Sequence, residues 1–180
     1  MSTFVKICGI CSRDDLEQIS AFGPDAVGFV IWPKSARHMD PEIVGGWESP
    51  AGIKRVGVFV NPTEAELLDA WKKARLDVLQ VHRIETGWSA DRSLFPNTEF
   101  WNAVNPDECE VETFAFDFDR LLLDSYDPKT VGGTGKTCNW DLAAKLVSDS
   151  KKPVLLAGGL TPENVGEAIL RVQPWGVDVS

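Results

Sequence analysis

The 180-residue chain is short of positive charge: 18 Lys and Arg stand against 27 Asp and Glu, for a net charge of −9 and a pI near 4.7. Nucleic-acid binding is driven by Lys and Arg neutralising phosphates, so nucleic acid is not the expected partner. An anionic small molecule would have to be met locally, by one or two arginines or by helix N-termini. Long apolar runs are also lacking. None approaches the ~18 residues of a membrane span. The opening MSTFVKICGI has no basic segment leading into a long apolar stretch, as a secretory signal would. A cytoplasmic protein with no membrane partner is expected.

Cysteine and histidine are sparse. The cysteines are Cys8, Cys11, Cys109 and Cys138, and the histidines are His38 and His82. Cys8 and Cys11 form a C-x-x-C. A zinc site would need two more ligands at matching spacing, and the remaining candidates are scattered, so no metal is expected. A redox pair stays open, because such pairs follow a strand at a helix N-terminus. A structural disulfide does not suit a reducing compartment. Nucleotide loops are missing too. The sequence CGICSR stands where a dinucleotide fold would carry G-x-G-x-x-G. VGGTGKT at 131–137 imitates a phosphate loop, but Thr130 occupies the place of its first glycine, and six residues separate it from the apolar RLLLD before it.

What the chain does have is alternation. Apolar runs lie at 4–8, 26–31, 54–60, 77–82, 98–104, 120–124, 152–157 and 175–180. Those at 54–60 and 152–157 are nearly continuous, as in strands covered on both faces. Helical segments lie between. SRDDLEQISAFG opens on Ser12 as an N-cap, and NPTEAELLDAWKKA has Thr63 and Glu66 spaced as a capping box. DPEIVGGW is short. NWDLAAKLVSD and TPENVGEAILRV are strong, the latter with Thr161 as cap and Pro162 at the first helical position. Residues 84–97 and 105–118 fit neither pattern cleanly.

Strand–helix alternation eight strands deep predicts a (β/α)₈ TIM barrel forming one domain over 1–180, with the final helix missing because the eighth strand runs to the last residue. Chemistry in such a barrel gathers at the C-terminal ends of the strands. The polar or reactive residues there are Cys8, Arg37, Asn61, His82, Asp124, Gly158, Gly159, Asp178 and Ser180.

KICGI, FVIWPKSAR, VGVFVN, LQVH, LLLDS followed by GGTGKT, LAGGLTPENV and PWGVDVS, in this order along nearly the whole chain, resemble phosphoribosylanthranilate isomerase. The resemblance implies an aldose–ketose isomerase (an intramolecular oxidoreductase) in tryptophan biosynthesis, a small anionic phosphosugar substrate, no cofactor and no metal. It implies Cys8 as general base and Asp124 as general acid. Arg37 would pair with the anthranilate carboxylate, for which its planar fork is suited. Gly158 and Gly159 would expose backbone N–H groups to the phosphate, with the strand-eight loop from Ser180 supplying the other half. Asp178 would face the anthranilate amine. Gly132, Gly133, Gly135 and Lys136 would form a closing lid that keeps water from a reactive intermediate.

Each assignment has an ordinary structural counterpart: a buried apolar cysteine for Cys8, a turn cap for Asp124, a surface arginine for Arg37, a tight turn for the glycine pair, a supporting carboxylate for Asp178. As base, Cys8 should lose its proton near neutral pH with help from a positive charge, and Asp124 should keep its own through burial. The chain departs from the family at Arg83, where glycine is usual, and at Asn102, where a basic residue is usual. It also departs after Ser180, where the family continues with SGVE and a last helix. Two other readings remain: a weak or inactive barrel serving as a binding subunit, and a bifunctional histidine- and tryptophan-pathway isomerase. The expected state is monomer or homodimer.

Overall fold

The computed structural model of the chain describes residues 3–48, 50–107, 116–125 and 138–180. The proposed lid residues Gly132, Gly133, Gly135 and Lys136, together with Cys109, lie outside the described residues.

Eight strands run parallel and close on themselves in sequence order. They are β1 Phe4–Cys8, β2 Ala26–Val30, β3 Lys54–Val60, β4 Val78–His82, β5 Glu99–Val104, β6 Arg120–Leu123, β7 Val154–Leu156 and β8 Gly176–Val179. Residues Phe4 to Ile7 pair with Gly176 to Val179, which seals β1 against β8. The helices are α1 Arg13–Ser20, α2 Pro41–Gly45, α3 Glu64–Ala74, α4 Trp140–Asp149 and α5 Val165–Val172. Residues 84–97 yield only a 3₁₀ turn at Arg92–Leu94, and β7 is half the length its apolar run suggests.

Side chains alternate across each strand. The outward set of β2, β4 and β5 (Val27, Phe29, Leu79, Val81, Phe100) packs on Leu16, Val44, Leu67, Ala70 and Ala74 of the helices. The outward set of β6 to β8 (Leu121, Leu123, Val154, Leu156, Val177) packs on Ala143, Leu146, Ala168 and Val172. The inward set includes Val56, Val58, Val78, Trp101, Ala103, Leu122 and Leu155. These contacts bury the apolar stripes that the helical segments carry, and this burial supplies most of the driving force for the fold.

Of the three caps marked in the sequence, two start their helices as read. Ser12 Oγ accepts from Asp15 N at 3.0 Å, and Thr63 and Glu66 make the full capping box. The third case differs. The last helix begins at Val165, not at Pro162, and Asn164 precedes it. Asn164 Oδ1 accepts from Thr161 N at 2.8 Å while its Nδ2 donates to Gly159 O at 2.9 Å. The residues that read as a first turn are therefore a brace for the glycine turn.

The N-terminal end of the barrel is plugged by a charged and aromatic layer. Glu99 accepts from Lys54, from Arg120 Nε at 2.9 Å and from Trp101 Nε1 at 2.8 Å. The Arg120 guanidinium lies 4.1 Å from the centre of the Trp175 ring, which stacks on Phe4 at 4.3 Å. With this end filled, the open mouth is the C-terminal one.

Candidate active site

The mouth is built on strand ends. Lys6 and Cys8 are two residues apart on β1, so both point inward. Strand register sets Gly28 of β2 beside Cys8 and Asp178 of β8 beside Lys6. Gly28 has to be small: a Cβ there would stand 2.8 Å from Cys8 Sγ and 3.2 Å from Lys6 Cε. Lys6 is fully buried. Its Nζ donates to both carboxylate oxygens of Asp178, at 2.8 Å each. A buried charge is tolerated only when paired in this way.

Asp124 follows β6, its N–H donating to Val104 O at 3.0 Å. Burial, then the charge of Asp178, pushes its pKa up to about 6, with Lys6 and Arg37 pulling the other way. A carboxyl at that level can hold and release a proton near neutrality. The Cys8 thiol is also pushed up, first by burial and further by Asp178, against the pull of Lys6 and Arg37. This corrects the expectation of a ready thiolate: the positive neighbour is there, but desolvation by burial outweighs it. Cys8 and Asp124 thus feel the same three charges, Lys6, Arg37 and Asp178.

Arg37 leaves the β2–α2 loop and reaches across the rim to donate through Nη1 to Ser180 Oγ. It passes over Gly9, which adopts φ +90° and where a Cβ would stand 2.5 Å from Nη1. Gly158 and Gly159 follow β7 with φ of +82° and +63°, a left-handed pair that glycine adopts without strain. A Cβ on Gly158 would lie 3.1 Å from Asp124 Oδ1, so the turn abuts the acid. Cys11 is exposed, and its Sγ donates to Gly9 O at 3.2 Å; Cys8 and Cys11 are both free thiols.

The family model for N-(5'phosphoribosyl)anthranilate (PRA) isomerase matches residues 5–180. The chain belongs to this isomerase family. The N-(5'-phosphoribosyl)anthranilate isomerase of Chromohalobacter salexigens is 40% identical over 182 residues, covering 99% of this chain and 83% of the relative. The crystal structure of phosphoribosyl anthranilate isomerase from Thermotoga maritima superimposes with a TM-score of 0.82 at 35% identity, covering 99% of this chain and 88% of that one. A phosphoribosyl anthranilate isomerase in complex with reduced 1-(o-carboxyphenylamino)-1-deoxyribulose 5-phosphate aligns with a TM-score of 0.77 at 31% identity, covering 99% and 87%.

The barrel accounts for one of the sequence departures and shows where another lies. Arg83 has φ +51°, the left-handed region that favours glycine, so the glycine usual there is a backbone requirement this chain meets with arginine. Asn102 sits between the inward Trp101 and Ala103, so it faces the outer layer and not the mouth. It is buried, and neither side-chain polar atom has a partner. Asn61, placed at the mouth from its strand end, bonds Glu85 Oε1 at 3.1 Å on the rim. His82 faces inward and contacts Gln80 Nε2 through Nε2 at 2.8 Å. Burial, with the charges of Lys6 and Arg83, holds its pKa down at about 3, so the imidazole is neutral.

Lys6, Gly9 and Gly28 are not singled out by sequence reasoning. A signal for Lys6 existed: a lysine two residues before Cys8 in an otherwise apolar strand of a closed barrel has nowhere to go but inside.

Proposed function

We propose that the protein catalyses the Amadori rearrangement of N-(5'-phosphoribosyl)anthranilate to 1-(o-carboxyphenylamino)-1-deoxyribulose 5-phosphate, with Cys8 as general base and Asp124 as general acid. The single observation that carries the site reading is the shared environment of these two residues. A thiol and a carboxyl from distant parts of the chain meet the same Lys6, Arg37 and Asp178 charges at the open end of the barrel.

Asp124 donates its proton to the furanose oxygen as the C1–O bond breaks, leaving a protonated Schiff base. Cys8, as thiolate, takes the proton from C2 and yields the enolamine, which tautomerises to the ketone. Each step needs only a positioned acid or base, worth about 10²–10⁴-fold each. The raised pKa of Asp124 suits the donor. Burial holds the thiol high, and the cationic Schiff base forming beside it supplies the further positive charge that a thiolate needs. Arg37 pairs with the anthranilate carboxylate, Asp178 faces the anilino nitrogen, and the Gly158–Gly159 turn offers backbone N–H groups to the phosphate. Asn164, which braces that turn, is a support residue of the same subsite.

The test is turnover by the purified protein. Fluorescence of phosphoribosylanthranilate should decay on its addition, and the histidine-pathway aminoaldose should persist. No decay from a folded protein would overturn the assignment, and consumption of both compounds would favour the bifunctional reading.

A further inference from the structure

Lys6 is the one fully buried ammonium among the described residues, and it lies at the centre of the mouth rather than on its rim. Its Nζ donates to both oxygens of Asp178, which leaves the carboxylate clamped on β8 from the neighbouring strand. Its stem shares the groove left by Gly28 with the Cys8 sulfur, Cε and Sγ both lying within 3.2 Å of the point a Gly28 Cβ would take. Nothing apolar requires a lysine there. Replacing a buried ion pair by packed apolar residues is often neutral or stabilising, so stability alone does not account for it.

We infer that Lys6 is a positioning residue of the isomerisation: one buried nitrogen fixes the Asp178 carboxylate in place for the substrate's amine and sets the positive field in which Cys8 gives up its proton. The inference rests on the isomerase reading and adds a residue to it. Lys6 need not touch the reacting carbons. It acts through Cys8, which meets the reacting carbon, and Asp178, which faces the amine, and its position on the same strand as Cys8 keeps the distance fixed by backbone geometry.

The charged and titratable groups acting on Cys8 are Lys6 of the same strand, Asp178 of β8 and Arg37 of the β2–α2 loop. Those facing Lys6 are Asp178 and Cys8, while His82 of β4 and Asp124 of β6 feel its charge. Of the two cations near the sulfur, Arg37 sits at the rim and is tied to Ser180, so Lys6 is the one inside the low-dielectric interior. A charge there acts more strongly than one facing water.

The experiment reads the thiol without substrate. Lys6→Met alone leaves Asp178 buried and unpaired and can fail to fold. The comparison is therefore between the unmodified protein and the double variant Lys6→Met/Asp178→Asn, in which neither partner is left buried and unpaired, both checked by circular dichroism. Iodoacetamide labelling of the Cys8 peptide is followed by mass spectrometry across pH, with the Cys11 peptide as internal control. The double variant should need a higher pH than the unmodified protein for the same Cys8 rate, because the Lys6 charge weighs more on the sulfur than the Asp178 charge lost with it. Cys11 should not move. The same displacement to higher pH should reappear in the descending limb of kcat/KM, because the raised thiol titrates above Asp124. An unchanged Cys8 profile in a folded double variant would overturn the inference and leave Lys6 a structural partner of Asp178. Because labelling needs no turnover, it separates this outcome from a failure of the isomerase assignment itself.

Discussion

Gly28 on β2 and Cys8 on β1 are register partners packed so closely that a methyl group on the glycine would stand 2.8 Å from the sulfur. The thiol is aimed by the absence of a side chain on its neighbour. Gly28→Ala should therefore push Cys8 and the Lys6 stem off their positions. We expect kcat/KM to fall at least about tenfold, with a stability loss of about 1–3 kcal/mol from overpacking. Steady-state kinetics and thermal melting check both. Full activity in Gly28→Ala would mean that the sulfur's position does not matter.

Asp124 gives a prediction of opposite sign for activity and stability. Its pKa stands at about 6 in the fold against 3.8 unfolded. A raised carboxyl costs stability fully above the folded value and not at all below the unfolded one. Asp124→Asn should abolish turnover yet raise stability at pH 8 by about 1–3 kcal/mol, since each tenfold difference in proton affinity between fold and unfolded chain is worth about 1.4 kcal/mol. The gain should vanish near pH 3. Urea unfolding at the two pH values measures it. Because the raised Cys8 thiol titrates above this carboxyl, kcat/KM should rise with pH up to about 6 and then level off, the loss of the acid form being offset by the gain of thiolate.

How much of this is legible in the sequence differs by level. The barrel is readable because each strand is a short apolar run and helices carry their own caps, as at Ser12 and Thr63. Cys8, Arg37, Asp124 and Asp178 are readable as strand-end residues. The state of the Cys8 thiol is not, since it depends on a balance between burial and Lys6 that only packing sets. TPEN reads as a helical first turn, and the side-chain bond from Asn164 back to Gly159 is a contact no local pattern announces. Gly28 looks like any strand glycine until its neighbour across the register is known.

The N-terminal layer should affect stability and leave catalysis alone. Glu99 is held down at about 2, burial opposing and the Lys54, Trp101 and Arg120 contacts prevailing. A depressed carboxylate stabilises above its unfolded value of 4.5 and loses that contribution as pH falls toward 2. Glu99→Gln should flatten the acid limb of the stability curve between those values with kcat unchanged at neutral pH. A drop in kcat would place this layer in the chemistry.

Arg37 crosses Gly9 to reach Ser180 with a planar fork that a lysine cannot reproduce. Arg37→Lys should raise KM for the aminoaldose about tenfold or more while kcat changes less, since it removes a bidentate binding contact. Equal losses in kcat and kcat/KM would assign Arg37 to the transition state instead.

The central claim is that one thiol and one carboxyl carry the proton transfers. The most direct measurement is the fluorescence decay of phosphoribosylanthranilate with Cys8→Ala and Asp124→Ala, each matched to the unmodified protein by circular dichroism. The account predicts that each single variant is slower by at least about 10². Decay at the unmodified rate in either folded variant would contradict it.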